Sequence, residues 1–260
     1  GMVLLTSAGF RGAFIGSRHS LSMTAIAGAG TGMERDYDFS SALHAADLDG
    51  ADAIGRSAGE RAVARLNPRK MTTRKVPVVF DPRVAGSLVS HLANAVNGAA
   101  VARKASFLKD RMGERLFAPG IRIIDDPLRR RGLRSRPFDG EGVAAKPLAI
   151  IEDGVLASWV LDSATARELG LVTTGHAGRG VSGPPSPSLT NLHIAAGSAT
   201  PDQLIADIKQ GFYVTDLIGS GVNGVTGDYS RGATGFWIEN GRRSFPVSEV
   251  TIAGHLLDMF

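Results

Sequence analysis

The sequence of 260 residues contains no cysteine. That absence excludes disulfide bonds, thiolate nucleophiles and zinc sites built on cysteine. It fits a reducing compartment, where disulfides are rare. The chain therefore cannot be an enzyme that uses a cysteine nucleophile.

Long hydrophobic runs are also missing. The longest apolar region, residues 84–102, is interrupted by His91, Asn94 and Asn97, so it predicts no membrane-spanning helix. The first residues, GMVLLTS, have no basic stretch and too short an apolar run for a signal peptide. We therefore expect a soluble, cytoplasmic protein without a membrane partner.

Aromatic residues are scarce, at 6%, although the chain is basic with a net charge of +4. Much of the excess lies in residues 129–136, RRRGLRSR. A basic run can bind nucleic acid, but here no aromatic platform or reading helix accompanies it. We expect its guanidinium groups to pair with nearby carboxylates, namely Asp125, Asp126, Asp139 and Glu141. Nucleic acid is therefore not an expected partner.

The residues that are present predict an α+β fold. Apolar residues recur every four positions over 51–66, and a second helix is predicted to start at Asp81-Pro82 and to run through Ala99. A short helix is predicted over 162–170, and another from Thr200 to a stop at Gly211. Residues 31–42, TGMERDYDFSSA, are predicted to be a charged loop, and residues 175–188 a long glycine- and proline-rich loop.

Most of the remaining chain has strand character. Asp153-Gly154 and Asn240-Gly241 each lie between β-type runs and predict two-residue hairpin turns. No internal repeat or linker interrupts the pattern. We predict one α+β domain over residues 1–260, with largely antiparallel β-sheets, hairpins and a few packed helices.

Two catalytic or nucleotide motifs occur without the context they need. Residues 219–224, GSGVNG, match the dinucleotide-binding fingerprint, but no helix is predicted after them to hold a pyrophosphate. Residues 55–59, GRSAG, match a nucleophile elbow, but they lie inside a helical pattern, so Ser57 is an ordinary helix residue. Neither motif is given a function.

His91 lies on the predicted helix LVSHLANAV. A zinc helix of the two-histidine type carries a glutamate beside the first histidine and a second histidine one turn on. Here Leu92 follows His91, and Ala95 and Val96 stand one turn further. No two of the six histidines have the spacing of ligands on one helical turn, so no metal site is predicted.

Ordered blocks across essentially the whole chain resemble the TldD/PmbA family, also called modulators of DNA gyrase. These blocks include GMERDYDFSSALH, NPRKMTT, VPVVFDPRVAGSL, SFLKDRMGERLF, IIDDPLRRRGLRSRPFDGEG, TTGHAGRG, PSPSLTN and GDYSRGATGFWIENG. TldD-like members carry a His-Glu-x-x-x-His helix and are zinc-dependent proteases. PmbA members, also called TldE, are partner subunits without that motif, and this chain resembles the PmbA/TldE branch.

The resemblance places His91 where the first zinc histidine of the TldD branch would stand, with Leu92 for the glutamate and Val96 for the second histidine. It implies that this chain has no catalytic residue and no bound metal, and that His91 is a vestigial position. The implied zinc belongs to a TldD-like metalloprotease subunit, with which this chain would form a heterodimer. In isolation a homodimer is possible through the same surface.

The resemblance implies a function in handling unfolded or precursor peptides inside an enclosed cavity. Candidate residues for the substrate cleft are His91, at the position of the first zinc histidine, and eight residues of the later family-like blocks: His176, Arg179, Thr190, Asn191, Asp228, Tyr229, Ser230 and Arg231. Peptide main chain could add as a strand to an exposed sheet edge there.

The family's N-terminal α/β domain and its final C-terminal β segment have no counterpart in the sequence, so we expect a shortened chain or an unusually short member. Two alternatives stay open. One is an active hydrolase with an unrecognised site, at Asp139/Glu141 or at a metal held by His91 and His176. The other is a binding module for gyrase or nucleic acid, using residues 129–136.

Overall fold

Fourteen strands and six α-helices form the fold in a computed structural model that describes all residues, 1–260. The strands are β1 (Met2–Leu5), β2 (Arg11–Phe14), β3 (His19–Ala27), β4 (Glu34–Ala42), β5 (Val78–Phe80), β6 (Ile123–Asp125), β7 (Leu148–Glu152), β8 (Val155–Leu156), β9 (Ala177–Gly178), β10 (Ser186–Pro187), β11 (Leu192–Ile194), β12 (Gln210–Ile218), β13 (Asp228–Glu239) and β14 (Arg242–His255). The helices are α1 (Ala51–Ala64), α2 (Pro82–Ala95), α3 (Gly98–Ala102), α4 (Ser163–Glu168), α5 (Pro201–Ile205) and α6 (Leu256–Met259).

The strands form two four-stranded sheets and three two-stranded ones. One large sheet has the order β14-β13-β12-β5, in which only β5 pairs in parallel, and the other has the order β11-β6-β7-β8 and is antiparallel throughout. The three small sheets, β1-β2, β3-β4 and β9-β10, are antiparallel hairpins or ribbons. The predicted α+β class with largely antiparallel sheets is confirmed.

The charged segment 31–42 is mainly a strand, so the prediction of a loop there was wrong. β4 pairs with β3 over nine residues, and α1 packs on this ribbon. The charges misled the prediction because the ribbon is lined with carboxylates that pair with arginines: Asp36 is only 3% exposed and contacts Arg65 and Arg83. Ion pairing thus replaces the apolar alternation that usually marks a half-buried strand.

Helix α2 starts at a strong N-cap, as predicted, because the Asp81 carboxylate accepts a hydrogen bond from the Arg83 amide at 3.0 Å. The helix ends at Ala95 and does not run on through Ala99. Asn97 starts a separate helix, α3, by accepting from the Ala99 amide at 3.0 Å. The amide of Gly98 donates to the Val160 carbonyl at 2.8 Å, which turns the chain away from the axis of α2.

Two hydrophobic clusters hold α2 from opposite ends. Val84, near its start, packs with Phe212 and Trp237 of the β12-β13 sheet. Leu92, near its end, belongs to the largest cluster, whose thirteen members come from α2, α3, α4, the β6-β7-β8 sheet and the segments that join them. Because both ends are packed, the position of the residues between them is fixed relative to both large sheets.

The two predicted hairpin turns form as expected, whereas one predicted helix is shorter and one predicted loop contains short strands. Both predicted hairpin turns have positive φ at their two central residues, at 48° and 79° for Asp153-Gly154 and 47° and 77° for Asn240-Gly241. Helix α5 ends at Ile205, well before Gly211, which lies in β12. The loop 175–188 is not wholly irregular, since β9 and β10 pair within it. No helix has the length and apolar character needed to cross a lipid bilayer.

Candidate functional site

A cavity of about 480 Å³ lies between the second half of α2 and the segment that joins β12 to β13. It is the place where the helix carrying His91 faces the strand carrying Arg231. Its lining residues are His91, Asn94, Ala95, Ala100, Ala105, Phe107, Gly219, Ser220, Val222, Gly224, Arg231 and Leu256. Asn94, Ser220 and Gly224 are exposed, so the cavity opens to solvent on their side.

His91 points to the cavity, whereas Leu92 and Val96 point to the core. The Nε2 atom of His91 is buried and has no hydrogen-bond partner in the chain. The imidazole ring meets the Tyr229 ring edge-on, with ring centroids 5.8 Å apart. Leu92 and Val96 are both fully buried in the largest hydrophobic cluster. The helix therefore presents the polar side chains of His91 and Asn94 to the cavity and apolar side chains to the interior.

Tyr229 and Arg231 approach His91 from β13. They are two residues apart on one strand, so their side chains share a face. Tyr229 is 2% exposed, and the Arg231 side chain lies at its hydroxyl, where, by its charge and as a hydrogen-bond donor, it opposes the rise in the Tyr229 pKa that burial causes. The Arg231 Nε is buried, and Nη2 donates to the Leu217 carbonyl at 3.3 Å. Tyr229 and Arg231 therefore lie against each other, beside the His91 ring.

The electrostatics of the cavity are positive. Burial lowers the pKa of His91 below its usual 6.5, and the charge of Arg231 lowers it further. Burial raises the pKa of the Tyr229 hydroxyl, and Arg231 opposes that rise. No aspartate or glutamate lines the cavity. Near neutral pH the site therefore holds a protonated tyrosine, a neutral histidine and an arginine cation.

His176, Thr190 and Asn191 lie in a different place, around the start of the loop that follows β6. His176 is fully buried, with Nε2 3.2 Å from the Asp125 carboxylate. The Thr190 hydroxyl donates to the same carboxylate at 2.7 Å. The Asn191 side chain bonds the Asp126 carbonyl at 2.8 Å and the Arg134 amide at 3.0 Å. These contacts fasten the arginine-rich loop to the sheet.

The remaining cleft candidates are not at the cavity either. Arg179 is exposed and donates to the Gly140 carbonyl at 2.9 Å. Asp228 and Ser230 alternate with Tyr229 along β13 and line a shallow hollow that shares Ser220, Val222 and Gly224 with the cavity. Of the nine predicted residues, His91 and Arg231 line the cavity, and Tyr229 packs against both of them without lining it.

The predicted pairing of the arginine run with its neighbouring carboxylates was wrong. The one salt bridge of residues 129–136 joins Arg131 to Asp47. The predicted carboxylates accept other hydrogen bonds: Asp125 from Thr190, Asp126 from the Leu128 amide, Asp139 from the amides of Glu141, Val143 and Ala177, and Glu141 from Ser163. They were mistaken for salt-bridge partners because sequence proximity does not show which carboxylates the backbone amides will reach.

The donor set does not fit a zinc site. A catalytic zinc needs three protein ligands. No three histidine, aspartate or glutamate side chains lie together with the geometry of metal ligands. His91 and His176, considered together as ligands, belong to separate environments, one at the cavity and one at Asp125.

The sequence reasoning missed the part that residues 219–224 play at the cavity. Four residues of GSGVNG line it, and, as predicted, no helix follows the segment. The amides of Gly219, Ser220 and Gly224 make no hydrogen bond to a protein acceptor. The glycine content was the available signal, because close backbone approach to a ligand is one use of glycine.

Two family models match the chain in succession. The PmbA/TldA metallopeptidase central domain matches residues 2–66, and the PmbA/TldA metallopeptidase C-terminal domain matches residues 73–260. The boundary falls between α1 and β5, in a segment with no helix or strand. The prediction that residues 1–260 form one domain stays a prediction.

Known proteins and structures are similar over nearly all of this chain. Metalloprotease PmbA of Escherichia coli O157:H7 is 42% identical over 247 residues, 95% of this chain and 53% of the relative. A Bacteroides thetaiotaomicron structure, named for modulation of DNA gyrase, has a TM-score of 0.88 and 32% identity, covering 98% of this chain and 56% of that one. TldE from Thermococcus kodakarensis shares the fold, with a TM-score of 0.89 at 24% identity, covering 98% and 58%. The chain spans about half the length of each.

Proposed function

Since the chain belongs to the PmbA/TldA metallopeptidase family, also called TldD/PmbA, we propose that it acts as a non-catalytic subunit of a zinc metalloprotease complex. Its partner is a TldD-like subunit that supplies the zinc, and the substrates are unfolded or precursor peptides. In isolation the chain pairs with itself through the surface meant for that partner. Its place of action is the cytoplasm.

The observation that carries the proposal is the burial of Leu92 and Val96. Both side chains have 0% exposure and lie in the main hydrophobic cluster beside His91. A glutamate at the first position would be needed to activate a metal-bound water, and a histidine at the second to complete the ligands. Apolar side chains at both positions contribute to packing instead, which favours a helix kept for its fold.

The alternative of an active hydrolase has less support. Asp139 is fully buried, and its two carboxylate oxygens accept three backbone amides, while Glu141 caps the start of α4. Neither carboxylate is free for acid or base work in a cleft. The alternative of a gyrase- or nucleic-acid-binding module stays a prediction, since Arg129, Arg130 and Arg134 are exposed and form no salt bridge.

The test is a peptidase assay on an unfolded peptide with this chain alone, a TldD-like subunit alone, and the two mixed, each with and without a zinc chelator. We expect no activity from this chain, and chelator-sensitive activity in the mixture well above that of the partner alone. Adding boiled chain to the partner controls for nonspecific stabilisation of the partner by added protein. Chelator-resistant or chelator-sensitive activity from this chain alone would refute a non-catalytic role.

A further inference from the structure

Residues 127–136, the arginine loop, form a closed surface loop after β6. The Arg136 amide donates to the Pro127 carbonyl at 2.8 Å, which joins the two ends of the loop. The Asn191 side chain, just before β11, accepts from the Arg134 amide at 3.0 Å. The shape of the loop is thus fixed by contacts within the chain, so a partner that binds it has little loop entropy to remove.

Three arginine side chains of this loop have no acidic partner in the chain. Arg129, Arg130 and Arg134 are exposed, and none of them is in a salt bridge. The neighbouring Asp126 accepts from the Leu128 amide at 2.9 Å, so its carboxylate belongs to the structure of the loop itself. The loop therefore presents uncompensated positive charge on a fixed surface.

Two large apolar side chains lie between these arginines in the same loop. Leu128 is 54% exposed and Leu133 is 37% exposed, and neither belongs to a hydrophobic cluster of the fold. Single exposed apolar residues are ordinary on protein surfaces. Two of them combined with unpaired arginines resemble the composition of protein–protein interfaces, in which arginine is enriched and apolar contacts exclude water.

This combination favours a polypeptide over a nucleic acid as the partner. Carboxylates and phosphates both match a guanidinium group, so the arginines alone do not distinguish them. Single-stranded nucleic acid binds mainly by stacking its bases on aromatic side chains, and residues 127–136 contain none. Exposed leucines are covered by the apolar side chains of another protein.

We propose that the arginine loop docks an acidic segment of a second protein. Its carboxylates pair with Arg129, Arg130 and Arg134, and its apolar side chains cover Leu128 and Leu133. A single exposed ion pair contributes little, so binding depends on several pairs acting together with the apolar contact. The proposal rests on the charge and exposure of the loop, and it does not depend on the role proposed for the chain in a metalloprotease.

The test is fluorescence anisotropy of a labelled peptide, Glu-Leu-Glu-Glu-Leu-Glu-amide, titrated with this chain at low salt. We expect binding that weakens as salt is added, because exposed charges are screened. A peptide with glutamine in place of every glutamate should bind at least about tenfold more weakly, since its ion pairs are lost. A peptide with serine in place of both leucines should bind about threefold or more weakly, since the apolar contact is lost.

Two triple variants locate the binding surface. Replacing the three unpaired arginines of the loop with glutamine should weaken binding of the acidic peptide about fivefold or more. The matched control makes the same replacement at three exposed arginines outside the loop that are in no salt bridge, Arg18, Arg56 and Arg103. Each triple lowers the net charge of +4 by three, so the control isolates the effect of overall charge. It should change the affinity by less than about twofold.

Three results would overturn the inference. Equal binding of the glutamate and glutamine peptides by the unmodified chain would do so, whether or not a variant folds. Equal weakening by the two triple variants would mean that overall charge, and not the arginine loop, attracts the peptide. Tighter binding of a six-nucleotide oligothymidine than of the acidic peptide would assign the loop to nucleic acid. The peptidase assay with a TldD-like subunit is independent of all three results.

Discussion

At the scale of single residues, His91, Tyr229 and Arg231 meet beside the cavity: the rings of His91 and Tyr229 pack edge-on, and the Arg231 side chain lies against the Tyr229 hydroxyl. The neighbouring Leu92 and Val96 are ordinary core residues. Within one turn of α2, Leu92 and Val96 therefore pack in the core, whereas His91 faces the cavity. The pKa of His91 is the property that reports most directly on its surroundings.

We predict that His91 titrates below pH 6.5 in the folded protein, because burial and then the charge of Arg231 both disfavour its protonation. The substitution Arg231→Met should raise this pKa but leave it below 6.5, since burial remains the larger cause. Proton NMR of the imidazole from neutral to acidic pH measures it, with the signal assigned by its loss in His91→Gln.

The sign of the linked effect on stability follows from the direction of the shift. A histidine with a lowered pKa in the folded state is protonated more readily after unfolding. His91 therefore costs stability as the pH falls below 6.5 and has no such effect well above it. The control Arg167→Met, at an exposed arginine of α4, should leave the titration unchanged. A His91 pKa at or above 6.5 would contradict the contacts described for the cavity.

At the scale of elements, the break between α2 and α3 decides the shape of the cavity wall. Asn97 caps α3 and also donates from Nδ2 to the Pro187 carbonyl at 3.1 Å. That second contact ties the helix break to β10. An uninterrupted helix would carry Ala100, which lines the cavity, in another direction.

Replacing Asn97 with alanine should lower the free energy of unfolding by about 1–2 kcal/mol, because the cap of α3 is lost and the partly buried Pro187 carbonyl loses its donor. Chemical denaturation followed by circular dichroism measures the difference. The control is Ser90→Ala, which removes an exposed hydroxyl bonded to the Gly86 carbonyl one turn earlier in α2. Equal effects of the two substitutions would mean that the cap contributes nothing particular.

At the scale of the whole molecule, a buried charge network joins the ribbon of β3, β4 and α1 to the rest. Arg83 at the start of α2 contacts Asp36 of β4 at 2.7 Å and Asp81 at 3.0 Å. Arg65, after α1, contacts Asp36 and donates to the Thr234 hydroxyl of β13 at 2.6 Å. The ion pair of Arg83 with Asp36 and the hydrogen bond of Arg65 to Thr234 therefore link the parts matched by the two family models.

Replacing Arg83 with methionine should destabilise the protein by about 3–5 kcal/mol, because Asp36 and Asp81 would remain buried with one cation fewer. Thermal unfolding at neutral pH measures it. The exposed pair of Lys70 with Glu249 is the matched control, and Lys70→Met should hardly change the midpoint, since exposed ion pairs contribute little. A small effect for Arg83→Met would show that packing of α1, and not the network, joins the two parts.

The sequence by itself determined the local features of this protein. Asp81-Pro82 and Thr200-Pro201 mark helix starts, and Asp153-Gly154 and Asn240-Gly241 mark hairpin turns, because a cap or a positive φ depends on the residues at that position. The family was also apparent from ordered blocks along the chain. Tyr229 and Arg231 were candidates from those blocks, and His91 from its place on the helix that resembles a zinc helix.

Only the tertiary structure decided which candidates meet. His91 and Arg231 are 140 positions apart in sequence, and α2 and β13 bring them to one cavity by packing against shared clusters. From the sequence, Asp125 and Asp36 were expected to be charged residues of loops. Each is instead buried and bonded to residues distant in sequence. Such contacts depend on free energies summed over the whole packed chain, so residue types and spacing alone do not specify them.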